Sequence, residues 1–190
     1  MKLAKIALFG TTGVGKTTFF RILKQLYSPV HIDEIKLATP LYNVQEYIYK
    51  LCGTQRAYEV QDGVLLNFLG QHMRAINPKV LENYFYERIK FLENSPAIVC
   101  TDARPNDYKF IKDAGFTTIL IKADKKVSQQ RRIVRGDLSL SNPEHSTETN
   151  AEGEKLKFDF EISNNGSLEE FEESITQLMG KILWFSRGPK

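Results

Sequence analysis

Cysteine is scarce in this sequence, with only Cys52 and Cys100 among 190 residues. Both fall in apolar segments and neither has a partner at metal-ligand spacing. That argues against a cysteine-built metal site and predicts buried thiols in a reducing compartment. An excess of one charge is also missing. The 26 basic side chains stand against 23 acidic ones, a net charge of +3, and the two signs are interspersed. Nucleic-acid binding needs a one-sided Lys/Arg concentration, which this sequence does not show, whereas a small anionic ligand suits the balance. Long apolar runs are absent as well. The N-terminal run, Ile6 to Phe9, is too short for a signal or membrane segment and leads directly into a glycine-rich loop. With no repeat or linker, the length suits one domain, 1–190, able to bury a central sheet with helices on both faces. A soluble, cytoplasmic protein with no membrane or nucleic-acid partner is expected.

What the sequence does contain is concentrated in KIALFGTTGVGKTTFF, where the apolar run gives way to the loop and then to an amphipathic segment. Gly10, Gly15, Lys16 and Thr17 fill the pattern GxxxxGK[ST] in the strand–loop–helix context that gives the pattern meaning. Glycines let backbone N–H groups curl around phosphate oxygens, and the following helix turns its N-terminus toward the same anion. The loop, Gly10, Thr11, Thr12, Gly13, Val14, Gly15, Lys16, Thr17 and Thr18, is therefore the candidate ATP site. Lys16 is expected to reach the β- and γ-phosphates, and the Thr17 hydroxyl to take one position on Mg²⁺.

The rest of the chain alternates helix and strand signals. Phe19, Phe20, Ile22, Leu23 and Leu26 give a helix its apolar face, broken at Tyr27-Ser28-Pro29; a weak strand follows at Val30 to Ile32. Three amphipathic helices are predicted around Val44–Cys52, Val64–His72 and Leu81–Leu92. Ala97 to Thr101 reads as a strand buried on both faces, with Asp102 just past its end. Asn106 is the expected cap of a helix closed by Gly115, Thr117 to Ile121 is the next strand, and a basic helix runs through Arg135. Leu156 to Ile162 alternates as a last strand, Asn164-Asn165-Gly166 turns, Ser167 caps a final helix, and Trp184-Phe185 forms a short tail. The expected architecture is α/β: a three-layer P-loop NTPase fold on a five-stranded, mostly parallel, doubly wound sheet.

In such sheets the ligand lies beyond the carboxyl ends of the strands, so residues after Phe9, Thr101 and Ile121 should converge. Asp102 could hold a water of the Mg²⁺ shell, and Arg104 could grip a transferring phosphoryl group; the plain alternative is a capping Asp beside a solvated Arg. Arg131 and Arg135 share one helical face just before a Ser/Asn/Thr/Glu-rich stretch, Gly136 to Glu154. A lid spanning about 128–154 would deliver these arginines on closing, against the alternative of a solvated face. His145 and Glu148 fall within that stretch, and His31 is given no role. No NKxD or DxxG is present to read guanine or sense a γ-phosphate, and Asp102 is followed by Ala103 rather than by a water-activating Glu. A GTPase switch and a motor ATPase are disfavoured, leaving transfer to an acceptor other than water.

These residues resemble the bacteriophage-type deoxynucleoside monophosphate kinases, a branch of the P-loop nucleoside monophosphate kinases. Beyond the loop, ATPLY (Ala38 to Tyr42) is similar to that family's ADPLK, and Leu65 to Pro78 is similar to its LLQxLGTxxRxIxP, with Gly70 and Arg74 matching. TDARPND resembles DVRFPNE with one residue deleted, and His145 to Glu148 resembles HxSE. Thr39, Tyr42 and Asn67 depart from the pattern, which bears on the acceptor base more than on the reaction. The resemblance implies ATP- and Mg²⁺-dependent phosphorylation of a (deoxy)nucleoside 5′-monophosphate. Gly70, Arg74, Asp102, Arg104, His145 and Glu148 would lie on the acceptor side, and Asn165 and Gly166 beside adenine. A homodimer is compatible with it. Dephospho-coenzyme A kinase and phosphomevalonate kinase share the same features, and a nucleotide-binding module without turnover is the rival of another class.

Overall fold

The computed structural model describes residues 5–54, 62–137 and 156–187. Five strands form one sheet in the order β2-β3-β1-β4-β5. They are β1 (Lys5–Phe9), β2 (Asp33–Ile35), β3 (Ile98–Ala103), β4 (Thr117–Lys122) and β5 (Phe160–Ser163). Every neighbouring pair runs parallel. The central strand explains its own composition. Ile6 and Leu8 pack into a core with Phe19 and Leu23 of α1 (Lys16–Leu26) and Phe171 and Ile175 of the last helix, while Ala7 and Phe9 enter a second core on the opposite face. A strand covered on both sides must be apolar at every position rather than at alternate ones.

The second core is closed by Phe85 of α4 (Val80–Phe91) and Ile111 of α5 (Tyr108–Asp113). Between β2 and α4, α2 (Thr39–Leu51) packs on α3 (Gly63–Ile76). The Asp62 carboxylate caps α3 by accepting from Leu65 N. The basic helix α6 (Lys125–Arg135) follows β4, and α7 (Leu168–Arg187) ends the described chain. At the start of α7, Glu170 N donates to Ser167 Oγ and Ser167 N donates to Glu170 Oε2, so the expected Ser167 cap is a full capping box.

The chain leaves β1 toward β2 and returns through β3, then crosses to β4 on the other side. β1 therefore stands at the reversal of strand order, where an open α/β sheet forms its crevice.

Several expectations shift. The strand placed at Val30 to Ile32 starts at Asp33 instead, where its N–H finds the Ala97 carbonyl at 3.0 Å. β3 runs on to Ala103, so Asp102 is inside the strand rather than beyond it. The last strand shortens to four residues, because the Asp159 carboxylate takes the N–H and hydroxyl of Thr118 and ends the ladder there. Asn106 caps nothing: it sits in a 3-10 turn, Pro105–Asp107, whose start is fixed by Asp107 accepting from Arg104 N. The Trp184-Phe185 tail belongs to α7. Cys100 is buried as expected, but Cys52 is exposed, since it falls at the end of α2, where residues 51–54 are all exposed. The expected lid beyond residue 137, with His145 and Glu148, lies outside the described residues. No helix among the described residues is long and apolar enough to cross a membrane.

Candidate active site

The glycine-rich loop joins β1 to α1 and is clamped by main-chain contacts on both sides. Gly10 has φ +136°, and a Cβ there would stand 2.4 Å from the Ile121 carbonyl; at Gly13 (φ +90°) it would stand 2.5 Å from the Ser128 carbonyl. Only glycine fits either position, because the loop is wedged between the end of β4 and the first turns of α6. Val14 points down into the core, so its contribution to the site is main-chain only. Its carbonyl accepts from Asn164 Nδ2 at 2.7 Å.

Above the loop, Thr12, Gly13, Lys16, Thr17, Arg104 and Arg131 help to line a cleft of about 510 Å³. Lys16 folds over the loop and donates to the carbonyls of Gly10 (2.6 Å) and Thr11 (2.9 Å). A phosphate oxygen would exchange with these neutral acceptors and gain a cation already aimed at the loop. Thr17, exposed in the first turn of α1, opens its side chain to the same cleft. Arg131 is held by Asn164, with Nη1 donating to its carbonyl at 3.0 Å and Nη2 to its Oδ1 at 3.3 Å. Arg135 also lines the cleft, but its guanidinium is engaged by both carboxylate oxygens of Asp137.

A second, tighter cavity of about 110 Å³ lies between α2, α3 and the end of β3. Leu37, Leu41, Leu66 and Leu81 supply its apolar walls; Asn67, Gln71, Arg74 and Arg104 supply polar groups. Gly70 belongs to its floor, and its carbonyl accepts from Arg74 Nη1 at 3.2 Å. Thr12, Tyr42, Asp102 and Arg104 border both cavities. Arg104 spans the junction, its Nη2 donating to Thr12 Oγ1 at 3.2 Å.

Asp102 ties this junction to the neighbouring crossover: its two oxygens accept from Leu37 N (2.7 Å) and Ala38 N (2.9 Å). Burial pushes its carboxyl above the usual range, against the pull of those two amides and of Arg104 and Lys16. Each oxygen spends one lone pair on an amide and keeps another for a water. Thr17 and a water-linked Asp102 therefore fit the sparse protein ligation that Mg²⁺ asks for.

Of the residues singled out from the sequence, the structure brings Lys16, Thr17, Arg104, Arg131 and Arg135 to the cleft, and Gly70, Arg74, Asp102 and Arg104 to the second cavity. Asn165 is paired with Asp124 and lines a third hollow, which it shares with Gly10 and Thr11 of the loop. Gly166 abuts the Glu170 carboxylate of the capping box. The sequence reading missed Asp107, Arg132, Asp137 and Asn164. Arg132 is buried with its Nε 3.6 Å from Asp137. The Asp107 carboxylate is 3.5 Å from Arg74 Nη2 and only 4 % exposed. The spacing of Arg104 and Asp107 across a short turn was the available signal for Asp107, and that of Arg132, Arg135 and Asp137 around the end of α6 for the buried pair there; Asn164 is paired across elements and leaves none.

No protein-family model matches the sequence, nor does any curated protein. Solved structures do resemble its fold. A shikimate kinase from Bacteroides thetaiotaomicron is 14% identical with a TM-score of 0.56, over 95% of this chain and 99% of that one. A dephospho-CoA kinase from Campylobacter jejuni is 16% identical at a TM-score of 0.52, over 94% and 96%. TT1252 from Thermus thermophilus is 17% identical at 0.54, over 95% and 98%. The fold is the P-loop NTPase fold in the form that small-molecule kinases share: a five-stranded parallel sheet with flanking helices.

Proposed function

We propose that this protein is a kinase that transfers the γ-phosphoryl group of ATP to a (deoxy)nucleoside 5′-monophosphate, giving the diphosphate. The observation that carries the reading is the meeting of two unlike cavities at Arg104. One is floored by a phosphate loop; the other joins apolar walls to Arg74 and Arg104, as a ligand with a flat apolar part and an anionic end requires. Such a transfer needs positioning and charge stabilisation more than covalent help from the protein. Lys16 and Arg131 would hold the donor phosphates, Arg74 the acceptor phosphate, and Arg104 the group in transit. Arg135 would join them only by leaving Asp137. Mg²⁺, held by Thr17 and through water by Asp102, would neutralise charge on the donor phosphates. The reading keeps the protein cytoplasmic, without nucleic-acid or membrane partners, and is compatible with a homodimer.

The test is turnover with ATP, Mg²⁺ and a panel of deoxynucleoside and ribonucleoside monophosphates, with dephospho-CoA and phosphomevalonate included. Acceptor-dependent ADP with a monophosphate supports the proposal. Turnover confined to either of the other acceptors would reassign the substrate, and ATP binding with no acceptor-dependent turnover would make the protein a nucleotide-binding module.

A further inference from the structure

We propose that Asp107 is the positioning residue of the acceptor cavity, a buried carboxylate that aims Arg74 and fixes the chain that carries Arg104. The inference rests on the function proposed above and deepens it. Its Oδ1 stands 3.5 Å from Arg74 Nη2, and its Oδ2 accepts from Arg104 N at 3.0 Å. Arg74 comes from α3 and Arg104 follows the end of β3, so one side chain holds the guanidinium of the first and the main chain of the second. Arg74 Nη1 is meanwhile held by the Gly70 carbonyl. Two fixed contacts on one planar fork set its direction, which a single contact on a flexible side chain would not do.

The placement is costly for the fold, and that separates it from ordinary structural pairing. Burial pushes the Asp107 carboxyl up to about 6, against the opposing pull of Arg74, the Arg104 N–H and the Arg104 charge; Asp102 raises it further. The neighbouring Cys100 thiol is itself raised well above its ordinary value by burial. A purely structural role at this position would be filled better by a neutral side chain. A charge kept in spite of burial fits a requirement to orient another charge.

Asp107→Asn separates the two roles. Its amide oxygen can still accept from Arg104 N, while the ionic hold on Arg74 is lost. In the full-length protein we expect the acceptor KM to rise about tenfold with the ATP KM within about twofold, and the melting temperature at pH 7.5 to rise. Unchanged acceptor KM would overturn the inference, as would a lower one, which would make Asp107 a competitor for Arg74. A second comparison uses Arg74→Met with and without Asp107→Asn. If Asp107 acts through Arg74, the two have equal acceptor KM; a further tenfold loss in the double variant would overturn the inference. Failure of the wild type to bind or phosphorylate any monophosphate would instead remove the functional reading and this inference with it. Wild-type turnover with indifferent Asp107 variants would remove only the inference.

Discussion

The two cavities that meet at Arg104 are built by different physics. The cleft over the loop is made mostly of main chain: glycines wedged against carbonyls, Lys16 resting on two more, and Arg131 tied down by the neutral amide of Asn164. The second cavity is backed by charge, with Asp107 against Arg74 and Asp137 against Arg132, and both carboxylates are almost fully buried; Asp137 also holds Arg135 on the cleft side. Neutral bracing gives the loop, Lys16 and Arg131 supports that need no titrating partner and are hard to substitute. Charged bracing makes the second costly to maintain but able to aim a guanidinium at a particular spot.

The largest effect should come from the first region. Lys16→Ala should lower kcat by at least about a hundredfold while the fold survives, because it removes charge stabilisation of the group in transit from a loop whose shape the glycines fix. Steady-state kinetics beside a melting curve checks this, and near-normal turnover would refute the assignment of the cleft to ATP.

Next in size is the cost of charge in the second region. A carboxyl whose folded value is about 6, against an ordinary 3.8, binds its proton more tightly folded than unfolded. Its contribution is fully present below pH 3.8 and is lost as pH rises through about 6. That span of about two units corresponds to a cost of about 3 kcal/mol at neutral pH. Urea unfolding of Asp107→Asn should therefore show a gain of about 2 kcal/mol over wild type at pH 7.5, shrinking toward zero near pH 4. The groups facing Asp107 are Arg74, Arg104 and Asp102; burial also raises the Asp102 carboxyl, and Asp102 is common to both proteins. A gain independent of pH would mean that the charge is not the source.

Arg74 comes third. Arg74→Ala should raise the acceptor KM and lower kcat together, about twentyfold in kcat/KM, since the fork both binds the phosphate and aligns its oxygen for attack. ATP binding should be nearly unchanged, and Arg74→Lys should recover only part of the loss. Unchanged acceptor kinetics would reduce Arg74 to a cation near the end of its helix.

The same contrast decides what could be read from the sequence. The loop was legible because its whole mechanism lies in consecutive residues, and β1 because burial on both faces writes itself as Ile6 to Phe9. α1 to α4 were legible through their periodicity. The start of the last strand was not, because it is set by Asp159 meeting Thr118, 41 positions away. Asn164 looked like turn chemistry, yet it reaches back 150 positions to the Val14 carbonyl. Asp137 looked like the fringe of a polar stretch, although its side chain is buried against Arg132. Composition reports solubility and propensity; it does not report which distant partner satisfies a polar group.

The smallest effect tests whether the neutral brace is a brace at all. Asn164 donates to the loop at Val14 and accepts from Arg131, whose other contact is the Asn164 carbonyl. Asn164→Ala would leave that backbone contact but lose the amide, leaving a buried carbonyl without its donor at a cost of about 1–2 kcal/mol in stability. With Arg131 less well held, the ATP KM should rise about fivefold while the acceptor KM stays unchanged, the reverse of the Asp107→Asn pattern. Asn164→Asp sharpens the point. Its carboxylate would still pair with Arg131 but would face the Val14 carbonyl with an acceptor, so an ionised Asp should perturb the loop more than Ala does, and less as the pH is lowered. Measuring the ATP KM of wild type and both variants between pH 6 and 8 decides it. If Ala and Asp behave alike and neither moves the ATP KM, the Asn164 amide only fills space beneath the loop. The two cavities would then differ in charge but not in having a dedicated support for their arginines.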